Sequence, residues 1–112
     1  MKLNISRTGE YIPTWEGNNK LPKEEQIIVK YKRMTGEMAS STMRFLDEGA
    51  IFDYARLVKI CVTEIENLYD ENDQRIKTAD DLLKATGTHG LVTEIGSHIL
   101  TDSKLPEKTK KK

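Results

Sequence analysis

The hydrophobic period of this chain changes partway along its length, and that change restricts it to folds that mix strands and helices. From Gln26 to Arg33, Ile27, Val29 and Tyr31 alternate with Ile28, Lys30 and Lys32, the two-residue period of a strand with one buried face. Further on, Ile51, Tyr54, Ala55, Val58, Cys61, Val62 and Ile65 recur at intervals of three and four, with Asp53, Arg56, Lys59, Glu64 and Glu66 on the other side. That spacing predicts an amphipathic helix. Leu57 and Ile60 widen its apolar stripe, so residues 50–68 read as a central helix covered on more than one side.

Weaker signals surround these two elements. Ile5 and Thr8-Gly9-Glu10 read as strand, and Tyr11 to Trp15 is an aromatic, β-branched segment that Pro13 confines to a sheet edge or an irregular extension. Leu21 to Gln26 predicts a short turn of helix with Pro22 in its first turn. Met38, Met43, Phe45 and Leu46 predict a helix over Glu37 to Leu46 that stops near Gly49. After the polar turn Tyr69 to Gln74, Thr78 and Asp81 have the spacing of a capping box, and Leu82, Leu83 and Ala85 predict a short helix. A break at Thr86-Gly87-Thr88-His89-Gly90 precedes a last helix bearing Leu91, Val92, Ile95, Ile99 and Leu100. The expected fold class is therefore α+β, with short N-terminal antiparallel strands packed against a C-terminal bundle of three to four helices. One domain over residues 1–102 is expected at this length.

Charge narrows the function classes. The 112 residues carry 18 Lys+Arg and 18 Asp+Glu, for no net charge, whereas domains that hold nucleic acid by bulk electrostatics show a basic excess. Nucleic acid is thus not an expected partner. The neutrality arises by cancellation: residues 1–46 carry 8 basic and 5 acidic groups, residues 47–102 carry 5 and 12, and residues 103–112 carry 5 and 1. That last segment, with Leu105 its single apolar side chain, reads as a disordered lysine-rich tail. No apolar run suits a membrane span or a signal peptide. With one cysteine there is no internal disulfide, and a cytoplasmic location is expected.

The residues do not compose a catalytic, cofactor or metal site. Asp70, Asn72, Gln74 and Ile76 follow calcium-loop spacing, but Arg75 stands where that loop needs glycine and Asp81 where it needs a bidentate glutamate. His89 and His98 are nine residues apart and share no helical face. Cys61 lies on an apolar stripe and reads as core, and Gly87-Thr88-His89-Gly90 lacks the lysine of a phosphate loop. Tyr11, Ile12 and Trp15 cluster around Pro13. Such side chains serve equally as a plug of a small core or as an interface anchor.

Two sets of residues carry a resemblance to a known family. The run Glu10-Tyr11-Ile12-Pro13-Thr14-Trp15-Glu16-Gly17-Asn18, continuing through Leu21-Pro22-Lys23-Glu24-Glu25-Gln26-Ile27-Ile28-Val29, resembles the opening of small proteins from tail modules of tailed bacteriophages and prophages. Ile65-Glu66-Asn67-Leu68, Thr78 to Leu83, Leu91 to Ile95, and Ser103, Leu105, Glu107 and Lys108 continue the similarity. Such chains resemble phage tail assembly chaperones. The resemblance implies a non-enzymatic protein of the bacterial host cytoplasm that coats the tape measure protein, recruits tail tube subunits and is absent from the virion. Tyr11, Ile12, Trp15, Leu91, Ile95 and Ile99 are then the expected surfaces for a partner or for a homo-oligomer. The alternatives are a head-tail connector or minor tail protein retained in the virion, and a small DNA-binding regulator using the lysine tail.

Overall fold

The computed structural model describes residues 7–46 and 49–102, with side chains described outside residues 41–52 of that span. The lysine-rich segment 103–112 lies outside the described residues. The fold is mixed α+β. Strands β1 (Thr8–Tyr11), β2 (Ile28–Lys32) and β5 (Val62–Glu66) form an antiparallel sheet in the order β1-β2-β5, and β3 (Met43–Leu46) pairs with β4 (Gly49–Phe52) in a separate hairpin. Helices α1 (Gly36–Thr42), α2 (Tyr54–Cys61), α3 (Ala79–Lys84) and α4 (His89–Asp102), with 3-10 turns at Trp15–Lys20 and Lys23–Glu25, complete the regular elements of the described chain.

Strand β2 follows its alternation: Val29 and Tyr31 are buried, as is Ile27 just before it, while Lys30 reaches the outer face and pairs with Glu66 at 2.8 Å. Inner-face residues of the sheet join Leu57, Val58 and Cys61 of α2 and Leu91, Ile95 and Ile99 of α4 in one core cluster. Cys61 is fully buried, and burial pushes its thiol up. The predicted capping box is present: the Thr78 hydroxyl accepts from the Asp81 N–H and the Asp81 carboxylate accepts from the Thr78 N–H.

Two expectations need correction. The central helix does not run over residues 50–68. It spans Tyr54–Cys61 only, begun by Asp53, whose Oδ1 accepts from the Arg56 N–H at 3.1 Å, and Val62–Glu66 is a strand. The register explains the misleading spacing, because Lys30 pairs with Glu64 but Tyr31 pairs with Val62, skipping Thr63. Such a bulge consumes one residue, so Val62 and Ile65, three apart, both point to the core. A spacing of three that resembles a helix is here a strand with an insertion. Its β-branched residues Val62, Thr63 and Ile65 also favour the extended form. The second correction concerns Glu37 to Leu46, where helix ends at Thr42 and β3 begins at Met43. The strands are accordingly not confined to the N-terminal third.

Close approaches tie the sheet to the helices. Gly9 lies opposite Tyr31 across β1 and β2, and a methyl group at Gly9 would sit 2.7 Å from the Tyr31 hydroxyl oxygen. The missing side chain leaves room for the ring of Tyr31, in the manner of an aromatic laid over a strand glycine. Helices α2 and α4 meet across Gly96, packed against Tyr54. No helix among the described residues is long and apolar enough to cross a membrane.

Candidate functional site

The six expected partner-contact residues separate into different environments. Leu91, Ile95 and Ile99 are at most 1% exposed and belong to the core, which corrects the expectation that they form a surface. Helix α4 packs against α2, and these three residues share one core cluster with the inner face of the sheet. Ile12 is 43% exposed, and Tyr11 and Trp15 are half-buried against the core. Of the six, Trp15 lines a groove.

That groove, of about 400 Å³, lies between the acidic turn after β5 and the α3–α4 junction. Buried Leu68, Ile76 and Thr88 contribute to its lining. Trp15 and Tyr69 supply its aromatic surface, and Tyr69 at 56% is more exposed than any other large apolar or aromatic side chain described. Asp70, Glu71, Arg75, Asp81 and Lys84 bring charge to it. The lining is thus mixed, with polar and charged groups set around two aromatic and a few aliphatic side chains.

Local backbone chemistry shapes each wall. The Asp70 Oδ1 accepts from the N–H groups of Asn72 at 2.8 Å and Gln74 at 2.9 Å, and Asp73 adopts a left-handed conformation at φ 61°. The residues that suggested a calcium loop therefore close a turn, which Tyr69 and Arg75 flank as a bridge pair. Among the described residues no group of three or more His, Cys, Asp or Glu is arranged to hold a metal ion. On the opposite wall the Thr88 hydroxyl donates to the Leu82 and Ala85 carbonyls, and Gly87 takes φ 85°, so the chain reverses tightly into α4.

Trp15 is placed by two polar anchors. Asn18, 2% exposed, donates from Nδ2 to the carbonyls of Pro13 at 2.8 Å and Ile27 at 3.2 Å, and its Oδ1 accepts from the Ile27 N–H at 2.6 Å. This one amide holds the loop 13–18 against the start of β2. The second anchor is Glu94 of α4, whose Oε2 accepts from the Tyr11 hydroxyl at 2.6 Å and from the Thr14 N–H at 2.6 Å and hydroxyl at 3.2 Å. Burial alone would push the Glu94 carboxyl up, but these donors and the Trp15 N–H outweigh it and hold the carboxyl below its ordinary value. Burial and the bond to Glu94 push the Tyr11 phenol up to about 12.

A further set of contacts continues from Tyr11 along α4. The Tyr11 ring stacks on His98 with centroids 3.8 Å apart and planes at 11°, and Tyr31 meets the same imidazole edge-on at 5.7 Å. The Tyr31 hydroxyl donates to Asp102 and lies 3.1 Å from His98 Nε2. With its single proton committed to Asp102, the phenol oxygen accepts from Nε2–H, which assigns the imidazole proton to Nε2. Arg33 Nε donates to the same Asp102 oxygen at 2.9 Å, and a second guanidinium nitrogen lies 2.9 Å from it. Sequence spacing concealed this cluster, because its members are dispersed over β1, β2 and α4.

Burial pushes His98 below its ordinary value; Asp102 and Glu94 oppose that shift and Arg33 reinforces it. The net lowering means that the unfolded chain takes up the proton first as pH falls below about 6.5. Stability is therefore expected to fall from about pH 7 toward about pH 5. A urea midpoint measured at both pH values should show the loss, and His98→Phe should flatten it; an unchanged slope in the variant would remove His98 from the account. Comparison with protein-family models, with curated proteins and with solved structures returns no match to this chain.

Proposed function

We propose that this chain is a non-enzymatic tail assembly chaperone of a tailed bacteriophage or prophage, which binds the tape measure protein in the host cytoplasm while the tail is built. Two things support the reading: the family resemblance carried by residues 10–29 and the later motifs, and the groove between Trp15 and Tyr69. The groove is the observation that carries it. An amphipathic segment of a long helical partner needs apolar anchor points flanked by charge, and the exposed Tyr69 and half-buried Trp15, which both line the groove, supply aromatic anchors of the kind that dominate interface energies.

Co-expression with a tape measure fragment tests the reading. The expected result is a complex that co-elutes on size exclusion and raises the soluble yield of the fragment, weakened by Tyr69→Ala. Neither a complex nor a change in solubility would overturn it. Mass spectrometry of finished particles provides a second test, since a chaperone should be missing there and a head-tail connector or minor tail protein would be retained.

A further inference from the structure

We infer that the groove takes a basic segment of its partner, with the aliphatic stem of a lysine or arginine lying along Trp15 and Tyr69 and its cationic head at Asp70 and Glu71. This inference rests on the proposed function, because it names the chemistry of the partner that the same groove would hold.

Charge at the groove is more one-sided than a count of its lining suggests. Arg75 is engaged toward the sheet, where it lies 3.5 Å from Glu64 and donates to the Ile65 carbonyl at 3.3 Å. Lys84 stands one turn after Asp81 on α3 and, among the described residues, has no ion pair. With Arg75 turned to Glu64, the groove lining sets three carboxylates, Asp70, Glu71 and Asp81, against the one cation Lys84. Asp70, whose Oδ1 closes the turn, and Glu71 line the groove with the exposed Tyr69, and neither has an ion pair among the described residues.

The aromatic pair fits the same ligand. A ring face attracts a cation, and Lys and Arg stems are apolar enough to lie along an indole or phenol while the head group stays in water. A carboxylate-bearing segment would instead meet two like charges and a negative ring face. Complementary charge also steers encounter and so makes binding depend on salt.

The experiment uses the full chain and its single tryptophan, Trp15, as a fluorescent reporter inside the groove. An amphipathic helical peptide of leucine and lysine should change the emission saturably, whereas the same peptide with glutamate for lysine should not. Affinity for the lysine peptide should fall steeply from about 50 to about 500 mM salt. Glu71→Lys should weaken it roughly three- to tenfold, with the circular dichroism unchanged. The inference is overturned by no response to the lysine peptide, by an equal response to the glutamate peptide, or by full affinity in Glu71→Lys. A concentration-dependent signal without peptide would also overturn it, in favour of a second copy of the chain. If the tape measure fragment binds while the lysine peptide does not, the basic-segment inference fails and the chaperone reading survives. The reverse result leaves the groove chemistry standing without that partner.

Discussion

Replacing Asn18 with alanine is expected to cost about 3 kcal/mol of folding stability, because it removes every partner from three buried or nearly buried backbone groups at once. The Pro13 and Ile27 carbonyls lose their donor and the Ile27 N–H loses its acceptor. Each group stranded in a dry site costs roughly 1 to 3 kcal/mol, and partial entry of water reduces the total. At roughly 4 °C per kcal/mol for a domain of this size, the midpoint of thermal unfolding should drop by about 12 °C. Asn18→Asp is an informative control. It keeps an acceptor for Ile27 N–H but turns a carboxylate toward two carbonyl oxygens, so at neutral pH it should be no more stable than the alanine variant. Wild-type stability in either variant would show that the loop is held by packing alone. The same changes should loosen Trp15 and shift its fluorescence to longer wavelength, since Asn18 holds the loop that carries the groove wall.

The second large effect is expected at Gly96. Alanine normally favours a helix interior over glycine by about 1 kcal/mol, and on that ground Gly96→Ala should stabilise. The packing reverses the sign. A Cβ at Gly96 would lie 2.8 Å from Tyr54 Cβ and 2.9 Å from Tyr54 Cδ1, and the first of these atoms is fixed to the α2 backbone and cannot swing aside. Overpacking of this kind costs roughly 1 to 3 kcal/mol, so Gly96→Ala should be destabilising, and Gly96→Val by about 3 kcal/mol or more with its added bulk. A double-mutant cycle gives the decisive measurement. Combined with Tyr54→Gly, which removes that Cβ together with the ring, the Gly96→Ala change should become neutral or stabilising, and simple additivity of the two would show that the helices separate at no cost.

Both predictions concern residues whose role is invisible locally. Asn18 stands in a Gly17-Asn18-Asn19 run that reads as an ordinary turn, yet its side chain substitutes for backbone partners nine residues away. Gly96 sits inside a clear helical pattern with no sequence sign that another helix crosses there. The Trp15 groove is similarly composite. Its walls come from residues 15, 68–76 and 81–88, and only the aromatic character of Trp15 and the acidity of the turn after Tyr69 were readable beforehand. Leu91, Ile95 and Ile99 show the opposite error. An apolar stripe fits a core and a partner surface equally well, and the choice depends on whether another element of the same chain covers it.

The sequence by itself determined the mixed α+β class, the inward face of β2, the capping box at Thr78 and Asp81, the burial of Cys61 and the turn at Asp70. These depend on side-chain period or on hydrogen bonds spanning a few residues, so near neighbours contain the information. Only the tertiary structure decided that Val62–Glu66 is a strand, that α2 ends at Cys61 and that Glu94, His98 and Asp102 bind the N-terminal strands to α4. The bulge opposite Lys30 and Tyr31 gives β5 a helix-like spacing of buried residues, and whether such a segment coils or extends is settled by the hydrogen bonds that β2 offers it. Those partners, Tyr31 for Val62 and Ile28 for Glu66 at the two ends, are more than 30 residues away in the chain, beyond the reach of any local pattern.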